Sequence, residues 1–157
     1  MTVEAALLAG AEAAVRQAGA VALGFFRGVH RRWEKGPGQI VTEAAIAVDG
    51  LLRRTLGGLL PDAGWLSEET ADDGSRLARR RVWVVDPIDG TRSFAAGKPE
   101  FTVCAALVED GAPVLGVILN PATGELFRAT RGGGAFLDDE RIVAGGTAGL
   151  AGGRVGK

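Results

Sequence analysis

Between residues 83 and 91 the chain reads Trp-Val-Val-Asp-Pro-Ile-Asp-Gly-Thr, which puts Asp86, Asp89 and the Thr91 hydroxyl within six residues of one another. Pro87 fixes φ after Asp86, Gly90 permits a left-handed or closely approached backbone, and Thr91 is placed to cap a following helix whose first N–H groups would face an anion. Such a turn can hold metal and phosphate together. Asp-Pro and Asp-Gly are also ordinary turn formers, so this string alone leaves a purely structural reading open. Upstream, Trp65-Leu66-Ser67-Glu68-Glu69-Thr70 reads as a second strand ending in paired carboxylates. If the two strands are neighbours, Glu68, Asp86 and Asp89 meet at one edge of a sheet. Three carboxylates crowded there raise one another's pKa unless a divalent cation neutralises them. Oxygen donors without His or Cys favour Mg2+ over zinc.

The flanking sequence must supply the elements that hold these groups. From Thr2 to about Gly28, Leu7, Leu8, Ala11, Val15, Ala18, Val21, Ala22, Phe25 and Phe26 recur at helical spacing, predicting a long amphipathic helix. A polar link, Lys35-Gly-Pro-Gly-Gln39, breaks it. A second helix follows, with Ile46, Val48, Leu51, Leu52, Leu56 and Leu59 as its apolar positions, and ends at Pro61-Asp62-Ala63-Gly64. Beyond residue 64 the period shortens to that of strands, at 65–66, 81–85, 101–108, 113–119, 125–129 and 135–137. Asp110-Gly111 is a hairpin signal and Asn120-Pro121-Ala122-Thr123-Gly124 a second turn. Two helices followed by consecutive strands predict an α+β, layered fold: a helix pair on one face of a largely antiparallel sheet. Residues 1–143 read as one metal- and phosphate-binding domain and 144–157 as a glycine-rich tail.

Composition removes other function classes. Eighteen Lys+Arg against nineteen Asp+Glu give a net charge of −1, so no global field points to nucleic acid or an anionic membrane. With a single cysteine, Cys104, no disulfide can form within the chain, and the cytoplasm is the expected setting. The N-terminal stretch carries Glu4, Glu12 and Arg16 and reads as neither signal peptide nor membrane span. Cys104 alternates into a strand as a core thiol, His30 is placed near a helix end, and the arginines between 76 and 81 read as a solvated loop.

Taken together, the strings at 65–70 and 83–91 resemble the first metal motif of the inositol monophosphatase superfamily, the Mg2+-dependent, lithium-sensitive phosphomonoesterases. The resemblance runs from about Lys35 to Ile142 and includes Val41-Thr42-Glu43, Asp110-Gly111, Asn120-Pro121 and Gly134-Ala135-Phe136. It implies metal ligation by Glu68, Asp86, the backbone carbonyl of Ile88, and Asp89, with Glu69 close by. It also implies phosphate binding by the amides of Gly90 and Thr91, and catalytic roles for Thr91 and Glu68 in orienting the attacking water. The implied substrate is a small phosphorylated metabolite. Thr91-Arg92-Ser93-Phe94 with Glu100-Phe101-Thr102-Val103 is more similar to the branch that hydrolyses 3′-phosphoadenosine 5′-phosphate than to the branch specific for inositol monophosphate.

Three departures bear on activity. Where the superfamily reads Val-Thr-Glu-Ala-Asp, this chain reads Val41-Thr42-Glu43-Ala44-Ala45, so a metal-binding Asp that also partners the catalytic Thr is replaced by Ala45. Gln39 stands where an Asp is common. The superfamily's second motif, Trp-Asp, is absent, since Trp33, Trp65 and Trp83 precede Glu34, Leu66 and Val84. The expectation is a chain that stops at a domain junction, with most of its specificity surface in a C-terminal domain that is not present. Two readings follow: a Mg2+-dependent phosphatase, or a catalytically impaired remnant acting as a folding or association module. In either case one sheet face is expected to be bare, giving self-association or a homo-oligomer.

Overall fold

The structure, a computed structural model, describes residues 3–28, 32–36 and 39–146. Helix α1 (Val3–Phe26) and helix α2 (Glu43–Leu59) are joined through a hairpin of β1 (Arg32–Gly36) and β2 (Gln39–Thr42). The expected polar link is therefore, over the described residues, a two-stranded antiparallel ladder with a register irregularity between Glu34 and Gly36. Strands this short carry too little apolar alternation to be read from sequence. Thr42 ends β2 and caps α2, its hydroxyl accepting from the Ala45 amide at 3.1 Å.

The main sheet follows chain order: β3 (Gly64–Ser67), β4 (Arg81–Asp89), β5 (Thr102–Glu109), β6 (Ala112–Leu119), β7 (Leu126–Thr130), β8 (Gly134–Leu137) and β9 (Glu140–Ile142). All neighbours are antiparallel except β3 and β4, which are parallel. A parallel pair needs a crossover, and residues 68–80, with a 3-10 turn at Ser75–Ala78, provide it. Asp110 and Gly111 both have positive φ (50° and 78°), as the two-residue hairpin between β5 and β6 demands.

The arginines at 76–81 are better anchored than a loose loop. Arg76 pairs with Asp72, Arg80 with Asp110, and Arg81 opens β4 and pairs with Glu109 at 2.6 Å. The Arg76 pair lies within the crossover, while the Arg80 and Arg81 pairs tie its end to β5 and the β5–β6 hairpin.

Period-two alternation sorts the central strands. Trp83 and Val85, Val103, Ala105 and Leu107, and Leu115, Val117 and Leu119 are buried. They face α1 and α2, which contribute Ala11, Val15, Ala18, Ala22, Ala45, Val48, Leu52 and Leu56 to one core. Each large apolar side chain buried here contributes roughly 1.5–3 kcal/mol. By length and composition Glu4–Phe26 passes for a membrane span, yet its alanine stripe is buried as in a core helix. In α2 the expected stripe holds except at Ile46, which is 46% exposed; Leu59 packs against Gly10 of α1, and the buried positions are Ala44, Ala45, Val48, Asp49, Leu52 and Leu56.

Helix α3 (Thr91–Ala95) follows β4 directly. Phe94 on it packs edge-on against Phe101 at 4.9 Å, with Phe26 of α1 completing the cluster. Residues 143–146 carry no regular element; His30 and residues 147–157 lie outside the described residues.

Candidate metal and phosphate site

The parallel pairing of β3 and β4 builds the site. Ser67 stands opposite Val85, so the next position on each strand brings Glu68 abreast of Asp86. Asp86 and Val84 project to the face away from the helices, because Trp83 and Val85 occupy the helix side. An irregularity between Asp86 and Asp89 in the pairing with β5 turns the chain at buried Pro87 and Ile88 and leaves Asp89 exposed. The partly buried Asp86 thus sits between two exposed carboxylates, Glu68 and Asp89.

The electrostatics follow from that placement. Burial, then the neighbouring charges of Glu68 and Asp89, push the Asp86 carboxyl from 3.8 up to about 7. Its Oδ1 is buried without a hydrogen-bond partner. A buried acceptor of this kind, flanked by two like charges, is an unfavourable arrangement that a bound cation relieves. The donor set is hard oxygen throughout and fits Mg2+. As the side chains stand, no three acidic, His or Cys groups among the described residues already form a closed cage.

Gly90 begins α3 in the left-handed region (φ 84°), and a Cβ there would lie 2.6 Å from the Glu100 carbonyl oxygen. Glycine is required on both counts. Gly90, not Thr91, is the N-cap, and no side chain caps α3, so the expected capping role of Thr91 is not the observed one. The Thr91 hydroxyl instead donates to the Ile88 carbonyl at 3.0 Å, tying the turn to the helix. Arg32 of β1 reaches the Ala95 carbonyl at 3.1 Å, so the hairpin missed in the sequence braces the far end of α3.

Ala45 is fully buried in the first turn of α2 and offers the site no oxygen. Cys104 is opposite Asp86 in the β4–β5 register. Burial pushes its thiol up to about 11, which suits a structural thiol and not a nucleophile.

Sequence reasoning overlooked Asp49, which is buried on α2 and accepts hydrogen bonds from the hydroxyls of Ser67 and Thr70, the latter at 2.6 Å. The readable signal was an acidic residue at core spacing, between Ala45, Val48 and Leu52.

The model of the inositol monophosphatase family matches residues 4–151. An inositol-1-monophosphatase of Rhizobium meliloti is 43% identical over 112 residues, covering 71% of this chain and 41% of that protein. A histidinol-phosphatase of Chlorobaculum parvum is 45% identical over 102 residues, covering 65% and 39%. Among solved structures, the inositol monophosphatase of Thermotoga maritima superposes with a TM-score of 0.79 at 32% identity, over 86% of this chain and 52% of that one. The chain thus spans about two fifths of the length of these curated relatives.

Proposed function

The chain belongs to the inositol monophosphatase family, and from that membership we propose that residues 1–143 form the metal- and phosphate-binding domain of a Mg2+-dependent phosphomonoesterase. The observation that carries the reading is Asp86, a carboxylate with an unpartnered buried oxygen held between Glu68 and Asp89. Glu68, Asp86, Asp89 and the Ile88 carbonyl are the groups that would hold Mg2+. The ion, when bound, would acidify water and neutralise charge on the phosphoryl oxygens.

The chain's own residues do the rest. The amides of Gly90, the N-cap, and of Thr91, the first residue of α3, are the groups that would face phosphate oxygens. The tie from Thr91 to Ile88 keeps those amides in register with the carboxylates. Glu68, at the edge, and Thr91 are the residues that would orient the attacking water. The substrate class is a phosphomonoester of a small alcohol, supported by relatives named inositol-1-monophosphatase and histidinol-phosphatase. The nucleotide substrate suggested by the Thr91–Phe94 sequence remains an arm of the test.

A second reading, an impaired association module, is favoured by Ala45, whose methyl group cannot hold a cation or orient Thr91. The sheet face away from the helices also supports it. A groove of about 390 Å³ is lined there by Val84, Ala106, Ile118, Phe127 and Phe136, with Ile118 and Phe127 42% and 37% exposed. Self-association through that face is part of this reading, and light scattering across a concentration series tests it. A lone thiol and a core-packed α1 support a cytoplasmic setting.

The deciding experiment is phosphate release with Mg2+ from inositol 1-phosphate, histidinol phosphate and 3′-phosphoadenosine 5′-phosphate. It compares this chain with Asp89→Ala and Ala45→Asp. Slow release that Asp89→Ala abolishes and Ala45→Asp accelerates supports the phosphatase. Silence from all three proteins supports the association module.

A further inference from the structure

Resting on the cation site proposed above, we propose that Asp49 is its positioning residue: from inside the helix layer it straps the Ser67–Thr70 segment at both ends and so sets where Glu68 stands. Asp49 lies one turn after Ala45 on α2 and is only 8% exposed. A carboxylate so placed is unfavourable unless its oxygens are satisfied. Both are. Oδ1 accepts from the Ser67 hydroxyl, and Oδ2 accepts from the Thr70 hydroxyl at 2.6 Å. These are charge-assisted bonds, the strong kind.

The two hydroxyls bracket Glu68 and Glu69 in the chain. The Ser67 hydroxyl also accepts from the Glu69 amide at 3.3 Å, which closes the bend on itself. Ser67 ends β3 on the helix side, so alternation carries Glu68 to the opposite face, where its charge acts on Asp86. From 68 to 74 the chain has no helix or strand of its own to hold it. The Ser67 and Thr70 hydroxyls are tied to α2, a helix locked into the core by Val48, Leu52 and Leu56. Groups that orient metal ligands from behind are commonly worth about 10- to 100-fold in metal affinity.

Mn2+ binding to the full chain, followed by electron paramagnetic resonance at a temperature where circular dichroism shows every variant folded, tests this. Asp49→Ala is expected to weaken Mn2+ binding about 10- to 100-fold. Asp49→Asn, which keeps one acceptor and the shape, should recover part of the loss, and Thr70→Val, which cuts one tether, should lie between. A residue important only for stability would lower the melting temperature in all three variants and leave affinity unchanged. That pattern overturns the proposal. If Asp49→Ala does not fold, wild-type affinity in Thr70→Val overturns it equally. Asp86→Asn separates the two levels of inference. If the wild-type chain takes up no Mn2+, or Asp86→Asn binds it as well as wild type does, the cation site itself is refuted, and the role of Asp49 with it.

Discussion

Replacing Asp86 with Asn removes a charge while keeping the shape, and the expected effect on the metal-free chain is a pH-dependent gain in stability. In the native state the Asp86 carboxyl is raised from 3.8 to about 7 by burial and by Glu68 and Asp89. The native carboxyl therefore holds its proton more tightly than the unfolded one. Between pH 3.8 and about 7 the native state binds more protons, so stability falls as pH rises through that window. At about 1.4 kcal/mol for each tenfold change in proton affinity, the full difference corresponds to about 4 kcal/mol. Asp86 is only partly buried, and solvent screening at least halves this, to about 2 kcal/mol. Urea denaturation in the presence of a chelator should find Asp86→Asn more stable than wild type by about 2 kcal/mol at pH 8, shrinking to about 0.5 kcal/mol at pH 4.5. Saturating Mg2+ at pH 8 should stabilise wild type and not the variant. A difference that stays flat with pH, or a variant less stable than wild type at pH 8, would refute the idea that three crowded carboxylates oppose folding until a cation arrives.

Gly90→Ala should destabilise the chain by about 2–3 kcal/mol, through the left-handed φ and the clash with the Glu100 carbonyl. For a chain of this size thermal melting should drop by roughly 4–12 °C, and an unchanged melt would show that the turn relaxes freely. Ala45→Asp puts a carboxylate at a fully buried position and should cost about 1–3 kcal/mol without metal. Millimolar Mg2+ should restore part of that loss in denaturation experiments, and no recovery would mean that position 45 does not reach the ion. Cys104, with its thiol at about 11, should be about a thousandth ionised at pH 8. Its reaction with a thiol reagent should be at least about 100-fold slower in the native chain than in guanidinium, and rapid native labelling would show that the open sheet face admits solvent to β5.

The sequence by itself determined the local geometry around the candidate site. The string from Trp83 to Thr91 specifies a strand, a rigid bend, a glycine that must accept a left-handed backbone and a helix start. All of these are properties of adjacent residues. Strand periodicity and the Asp110-Gly111 turn were legible for the same reason, as was the helix pair. What only tertiary structure decided were relations between residues far apart in the chain. The parallel register of β3 on β4 places Glu68 beside Asp86, and no local signal distinguishes it from an antiparallel pairing. The β1–β2 hairpin was hidden because its strands are too short and polar to show a period. The buried face of α2 turned out to include Asp49, while Ile46 points away from it. An amphipathic pattern gives a helix only an approximate facing. What lets that face carry a buried carboxylate is a pair of hydroxyls, those of Ser67 and Thr70, 18 and 21 residues away.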